Sequence, residues 1–355
     1  MYDFLNTLSG FIWGPITLIL ILGTGIFLSL GLKGFTFTYI LVAFKQIFRK
    51  DEKATDGEIT SFQSLTTALS ATVGTGNIAG VATAIYIGGP GAVFWMWVSA
   101  LFGMATKYAE AFLAIKYREK NANGETVGGP MYYIKNGLSK NYIVFAYLFA
   151  LAGMIAALGI GNGVQVNSVS QVIESEFGVS AFTVGIFIAV LVALVILGGI
   201  KSIGKITSKL VPLMSAIYIL GGLWIIVLNY TEVTYVFNLI TTSAFTSTAA
   251  TGGFAGATVW MALRYGVARG VFSNEAGLGS SPIAHAAANT NNPAKQGMIS
   301  MLEPLIDTLI VCTITAFVIL MSNLWIGEIN GAVLTVASFE QLLSCLLYTS
   351  DAADE

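Results

Sequence analysis

The chain has 355 residues, of which 55% are hydrophobic and 10% charged, and a mean hydropathy of +0.77. A soluble domain carries roughly 25% charge, so a water-soluble enzyme of this length is excluded: too few charges remain to cover its surface. The net charge of −2 removes a basic footprint for nucleic acid, and two cysteines (Cys312, Cys345) with one histidine (His285) supply neither a disulfide framework nor a His-rich metal centre.

Charge-free windows run over 4–32, 59–106, 141–173, 177–200, 210–231, 233–263 and 308–327. Each reaches the roughly 20 residues that cross a bilayer, and 59–106 is long enough for two crossings divided at Gly89-Pro90-Gly91. The expectation is an all-α polytopic membrane protein with about eight spans: 13–31, 62–87, 92–117, 143–172, 181–199, 210–228, 244–264 and 298–322. The first charge is Asp3, so the N-terminus does not read as a cleavable signal. Residues 36–50, aromatic and basic at their end, read as an amphipathic helix on the inner surface. If the eight spans alternate, all 17 Lys and Arg fall on one side, which predicts cytoplasmic basic loops and an outside N-terminus in a multi-pass cell-membrane protein.

Two predicted spans are interrupted by glycine at mid-length. The second holds Gly74, Thr75, Gly76, Asn77 and Gly80; the seventh holds Gly252, Gly253 and Gly256. Unwound backbone exposes N–H and C=O groups that lipid cannot satisfy, so such breaks survive where they line a ligand cavity. A pair of them in corresponding positions predicts a transporter of inverted repeats; the plainer reading is that glycine and alanine here permit close helix packing.

Three stretches in order carry a family resemblance: GTGNIAG at 74–80, GGPGAVFWMWVSALFGMATKYAEAFLAIKYR at 88–118 and RGVFSNEAGLGSSPIAHAAA at 269–288. Over residues 10 to 340 the chain resembles the alanine or glycine:cation symporters, the sodium:alanine symporter family. The resemblance implies a LeuT-like fold of two inverted five-helix units behind one extra helix, and sodium-coupled uptake of alanine and glycine. It divides the chain into an extra span and amphipathic segment (1–60), a first repeat (61–228), the start of a second (229–344) and a tail (345–355) that reads as non-native, with the last core helices of the family missing.

A zwitterion needs donors for its carboxylate and acceptors for its ammonium. Backbone N–H groups of Gly74, Thr75, Gly76 and Asn77 are the candidates for the carboxylate, aided by the positive end of the following half-helix. Gly252, Gly253 and Phe254 are the symmetric substrate candidates, with Phe254 against the alanine methyl. The resemblance favours Gln165 as a further substrate contact; Asn162, three residues before it, shares its face on a regular helix. Sodium takes oxygen ligands, for which Thr72, Val73, Asn77 and Thr248 are the candidates. Arg269 with Glu275 is the candidate inner gate, and Ser273 or Asn274 a helix cap. Glu303 and Asp307 share a face and open a proton-coupled alternative, set against a water-exposed end or pairing with Arg264 or Arg269. Lys107 is expected to pair with Glu110, and His285 to be structural. No cofactor or obligate protein partner is implied; the partners are alanine or glycine, sodium and lipid. A membrane enzyme finds no supporting motif; an inactive truncated fragment is the remaining alternative.

Overall fold

The computed structural model describes residues 8, 10–49, 57–246 and 258–351, which are almost entirely helical. α1 (Pro15–Gly31) begins on proline, whose missing N–H costs nothing in a first turn. α2 (Ile40–Ile47) is the expected amphipathic segment: Ala43 and Ile47 face inward, Leu41 and Phe48 outward. α3 (Ser61–Thr72) opens with a capping box in which Thr60 and Gln63 each accept from the other's backbone N–H. α4 (Gly76–Gly88) follows at an angle of 49°. α5 (Gly91–Lys116) leads through a two-stranded antiparallel ribbon, Glu119–Lys120 with Thr126–Val127, to the short α6 (Pro130–Gly137). Then come α7 (Lys140–Phe177), α8 (Ala181–Ile196), α9 (Gly199–Leu228) and α10 (Tyr230–Ser243). After residues 247–257 the helices are α11 (Val259–Asn274), α12 (Ser281–Ala286), α13 (Pro293–Ser322) and α14 (Gly331–Asp351).

α5, α7, α9 and α13 are each long and apolar enough to cross a bilayer, and the bent pair α3–α4 makes a fifth candidate span. The chain is therefore a multi-pass helical membrane protein. α5 and α13 lie at its centre, 61% and 72% buried over their most apolar windows, whereas α7 and α9 are only 6% and 17% buried and turn apolar side chains outward. One apolar core joins α4, α5, α10, the second half of α13 and α14; another joins α2, α3, α5 and the first half of α13.

α5 and α11 run parallel in close contact because α11 presents glycine one turn apart. A Cβ on Gly266 would lie 2.3 Å from the Ala92 carbonyl oxygen, and one on Gly270 would lie 2.3 Å from Ser99 Oγ. Small residues four apart let two backbones approach where lipid supplies no hydrophobic drive.

Several expectations are corrected. The predicted span 244–264 is corrected at its C-terminal end, where the helix runs from Val259 to Asn274; residues 247–257 lie outside the described residues, and a separate helix covers Tyr230–Ser243. The charge-free window stopped at Arg264 because arginine was taken to end a span. Instead, Arg264 and Arg269 lie inside α11. Arg264 donates to the carbonyls of Trp13 (3.2 Å) and Gly10 (3.4 Å). Since Gly266 meets Ala92 at the start of α5, Arg264 sits at the 88–91 end of the bundle, opposite Lys116 and Arg118. The clean one-sided count of basic residues therefore fails. Residues 331–351 form one helix where none was expected, and it covers the first part of the suspected tail; 352–355 lie outside the described residues. Glu340 and the Ser and Thr of that stretch hide its apolar face, yet Leu334, Thr335 and Ser338 are buried.

Candidate functional site

The break between α3 and α4 is where the site is built. Val73 is extended (φ −75°, ψ 99°), so its carbonyl leaves the α3 ladder. α4 then starts with a π-wound turn, Gly76–Gly80. Two further π-wound runs flank it: Ala157–Val164 in α7, just before Gln165, and Leu305–Cys312 in α13, which carries Asp307. Such i→i+5 turns are uncommon and recur at functional sites.

Gln165 reaches the break from α7. Its Oε1 accepts from Thr75 Oγ1 at 2.9 Å and from Thr75 N at 3.4 Å, and it lies 3.3 Å from where a Gly74 Cβ would stand. Gly74, Thr75 and Gln165 are thus brought together. The expected free N–H row is not free, however: Gly74 N donates to Asn77 Oδ1 at 2.7 Å, and Asn77 N to the Gly74 carbonyl at 3.1 Å. Asn162 does not share Gln165's surroundings. The π winding between them breaks the i, i+3 register, and Asn162 lines an apolar groove toward α8.

A cavity of about 100 Å³ opens beside the break, walled by Ser70, Ala71, Thr72, Gly76, Gln165, Phe272 and Glu275. Of the candidate sodium and substrate residues, Thr72, Gly76 and Gln165 line it. Glu275 holds a left-handed backbone (φ 55°), sparsely populated for a non-glycine residue, and its carboxylate accepts from Ser280 Oγ. Arg269 and Glu275 form no ion pair among the described residues. Arg269 stacks over the Phe272 ring at 5.6 Å and lines a different cavity, so the inner-gate pairing is corrected. Ser273 and Asn274 end α11 rather than start a helix, and Asn274 Oδ1 accepts from Ala276 N. Thr248, Gly252, Gly253 and Phe254 lie outside the described residues.

Asn77 points away from the cavity into a buried polar cluster. Its Nδ2 donates to Asp307 Oδ1 (2.7 Å), the Asp307 carbonyl (3.0 Å), Ser273 Oγ (3.1 Å) and Cys312 Sγ (3.3 Å). Asp307 Oδ2 accepts from Ser273 Oγ and Thr308 Oγ1, both at 2.8 Å. Asp307 is 0% exposed, and among the described residues no Lys, Arg or His lies in ion-pair contact with it. Sequence reasoning singled out Asp307 but missed Ser273 and Thr308 as its partners. The only signal was their short polar side chains in apolar helices.

Glu303, one turn earlier, is differently placed. It is fully buried and pairs with Lys107 Nζ at 2.9 Å and with His285 Nε2 at 2.5 Å, while accepting from Ser281 and Ser300. Its partners are therefore neither water nor Arg264 and Arg269. Lys107 does not snorkel and takes Glu303, not Glu110, as its ion-pair partner. Glu110 is buried on the same helix, and its Oε2 has no hydrogen-bond partner among the described residues. His285 Nδ1 meets Gln296 Nε2, which also donates to Ser64 Oγ at 2.7 Å. The network ties α3, α5, α12 and α13 together.

The cavity walls offer hydroxyls, an amide and one carboxylate around a broken span, with no paired acid and base or nucleophile. Passage of a small polar solute through a bilayer needs such a lining, and the fold and site are those of a membrane transporter. Residues 1–349 match the model of the sodium:alanine symporter family, and the chain belongs to that family. It is 51% identical over 345 residues, 95% of this chain and 75% of the relative, to the sodium/alanine symporter AgcS of Methanococcus maripaludis. It is 42% identical over 325 residues (92% of this chain, 65% of the relative) to Bacillus subtilis YrbD, provisionally described as a sodium/proton-dependent alanine carrier. Against Bacillus subtilis GlnT, provisionally described as a sodium/glutamine symporter, identity is 39% over 331 residues, 92% of this chain and 67% of the relative.

Proposed function

We propose that this chain carries out sodium-coupled symport of a small neutral amino acid, alanine or glycine, by alternating access in a LeuT-like frame of inverted repeats. The N-terminus is outside and most basic loops are cytoplasmic. The repeats begin at residues 61 and 229 behind the extra segment 1–60. The observation that carries the reading is Asp307: a fully buried carboxylate bonded only to neutral donors, one hydrogen bond from the kinked span. An ionised carboxylate in low dielectric needs a compensating cation. Sodium would take oxygens of Asp307, Ser273 and Thr308, with the break carbonyls of Thr72 and Val73 as further candidates; Thr248, outside the described residues, remains a candidate from the sequence. Asn77 serves here by orienting Asp307.

The amino acid fits the cavity at the break. Gln165 and the Gly76 backbone are the candidate donors for its carboxylate, Glu275 the acceptor for its ammonium, and Phe272 the apolar wall against its methyl; Thr75 holds Gln165 in place. Gly252, Gly253 and Phe254 remain the candidates from the symmetric break. The small volume favours alanine and glycine over leucine. Sodium and substrate then stabilise one another reciprocally through the α3–α4 break they share.

Proton coupling is the second reading, and the same Asp307 favours it, since a proton also neutralises a buried carboxylate. Glu303 does not serve that role, being paired with Lys107 and His285. The test is labelled alanine uptake into vesicles. A sodium gradient at fixed pH drives it in the first reading and a pH gradient at fixed sodium in the second. Uptake indifferent to both removes the proposal.

A further inference from the structure

α9 has 30 residues, which at 1.5 Å per residue make a rod of about 45 Å, against roughly 30 Å of bilayer hydrocarbon. The surplus is about 15 Å, or about ten residues. Residues 210–228 carry no charge and match the hydrocarbon; residues 199–209 extend beyond it and hold Lys201, Lys205 and Lys209. A Cβ on Gly204 would lie 3.0 Å from Ile59, which forms a bridge with Ala288, and Arg118 donates to the Ala288 carbonyl. The lysines therefore stand at the Arg118 end of the bundle, at and above the edge of the hydrocarbon.

Burial fixes which way they face. Gly204, Thr207, Val211, Gly222 and Ile225 are buried along one side of α9. The three lysines are exposed on the other side, and so are Leu210, Leu213, Ile217 and Leu220. A spacing of four keeps the lysines in one row, which runs into the apolar side chains at Lys209. Within the chain this row is unfavourable. No carboxylate pairs with any of the three among the described residues. Like charges four apart on a helix repel, and cations in its first turns oppose the macrodipole. Basic residues that set orientation have to lie on one side of the membrane, not on one face of a helix.

We propose that this face of α9 binds an anionic phospholipid. Lys209, at the hydrocarbon edge, and Lys205, one turn or about 6 Å farther out, hold the phosphate-bearing headgroup, with Lys201 adding to the field above it. The acyl chains lie along Leu213, Ile217 and Leu220. Charge, depth and an apolar continuation on the same side select a lipid over a soluble anion. The site is separate from the cavity at the break and does not rest on the reading of that cavity. Thr207 on the buried side of the same turns bonds to Thr67 at 3.1 Å, so the lipid sits one side-chain contact from the first half of the broken span.

The test is native mass spectrometry of the full chain released from micelles with equal phosphatidylglycerol and phosphatidylcholine. The parent is expected to retain one phosphatidylglycerol with a preference of roughly fivefold or more, the worth of about one lysine near an anionic surface. Lys201→Gln, Lys205→Gln and Lys209→Gln combined abolish the preference, whereas arginine at all three positions keeps it. Lys116→Gln with Lys140→Gln, two exposed lysines elsewhere in the chain, leaves it in place. The triple glutamine variant melts in lipid-free detergent no lower than the parent, because the row has no partner inside the chain. No preference in the parent, equal loss in the Lys116 and Lys140 variant, or a lower melting temperature in the triple variant overturns the proposal. Displacement of the lipid by glycerol phosphate, beyond the effect of sodium chloride at equal ionic strength, assigns the row to a soluble phosphate and overturns it too.

Discussion

Asn77 and Asp307 are 230 positions apart and share a 2.7 Å hydrogen bond, Nδ2 to Oδ1, buried at the centre of the protein. The bond joins the π-wound start of α4 to the π-wound run of α13, so a change at the carboxylate acts directly on the break. Asp307→Asn keeps the size of the side chain and removes its charge. Sodium affinity is expected to fall by roughly tenfold or more, about 1.4 kcal/mol, read as the sodium concentration giving half-maximal alanine binding. Asn77→Ala leaves Asp307 Oδ1 and Gly74 N–H without a donor and an acceptor. Buried unsatisfied groups cost about 1–3 kcal/mol each, so this variant is expected to lose thermal stability as well. Unchanged sodium dependence in Asp307→Asn would remove Asp307 from the coupling role.

Thr75 and Gln165 make the second long-range bond at the break, 2.9 Å between Oγ1 and Oε1. Thr75→Val is nearly isosteric and leaves Gln165 held only by the 3.4 Å backbone contact. If Gln165 positions the substrate carboxylate, the variant raises the KM for alanine by roughly fivefold to tenfold, the worth of one hydrogen bond. Sodium affinity should move far less, because the Asp307 cluster is untouched. An equal effect on both would mean that the bond merely holds the fold.

The close seam between α5 and α11 gives a test of packing free of site chemistry. A methyl on Gly266 meets the Ala92 carbonyl at 2.3 Å and the Trp95 Cβ at 2.7 Å, and the backbone part of that clash cannot rotate away. Gly266→Ala should therefore destabilise by about 1–3 kcal/mol or more, seen as a lower melting temperature in detergent. At Gly270 the nearest atom is Ser99 Oγ at 2.3 Å, with Met96 Cα next at 3.2 Å. Gly270→Ala should recover most of its lost stability in the double variant with Ser99→Gly, whereas that partner change should not help Gly266→Ala. Rescue of both, or of neither, contradicts the stated geometry.

The kink was legible because a Gly-Thr-Gly-Asn run in an otherwise apolar span has few stable alternatives in lipid. The cluster around Asp307 was not, because Asn77, Ser273 and Asp307 come from three distant stretches and nothing local announces their meeting. Arg264 misled for a different reason. Hydropathy treats any arginine as a boundary, yet two carbonyls from the residues just before α1 receive this one, and α11 runs on through it. Gln165 reaches the break and Asn162 does not, because the regular helix expected between them is a π-wound run. The polar residues of α14 disguised a helix that packs on the break itself: Thr335 Oγ1 donates to the Ile78 carbonyl at 3.0 Å.

Lys107 and Glu303 are both 0% exposed at the side chain and 2.9 Å apart. Removing either one strands the other charge in the interior, which typically costs about 3–5 kcal/mol, whereas replacing both by apolar groups of similar volume is often neutral. Lys107→Met alone is therefore expected to abolish a monodisperse, folded preparation, and Glu303→Gln alone to weaken it strongly by leaving the ammonium unpaired. The double variant Lys107→Met with Glu303→Met should recover much of the lost melting temperature. His285, Ser281 and Ser300 also bond to Glu303, so recovery should remain incomplete, and adding His285→Phe with Ser281→Ala should improve it. The coupling energy from the cycle measures the pair apart from the cost of each single change. Additive losses across the cycle would show that the pair does not act as a unit in holding α5 against α13. Sodium-dependent alanine binding in the stabilised variants then separates scaffold from site. It should persist, because the Asp307 cluster and the cavity at the break keep all their own contacts.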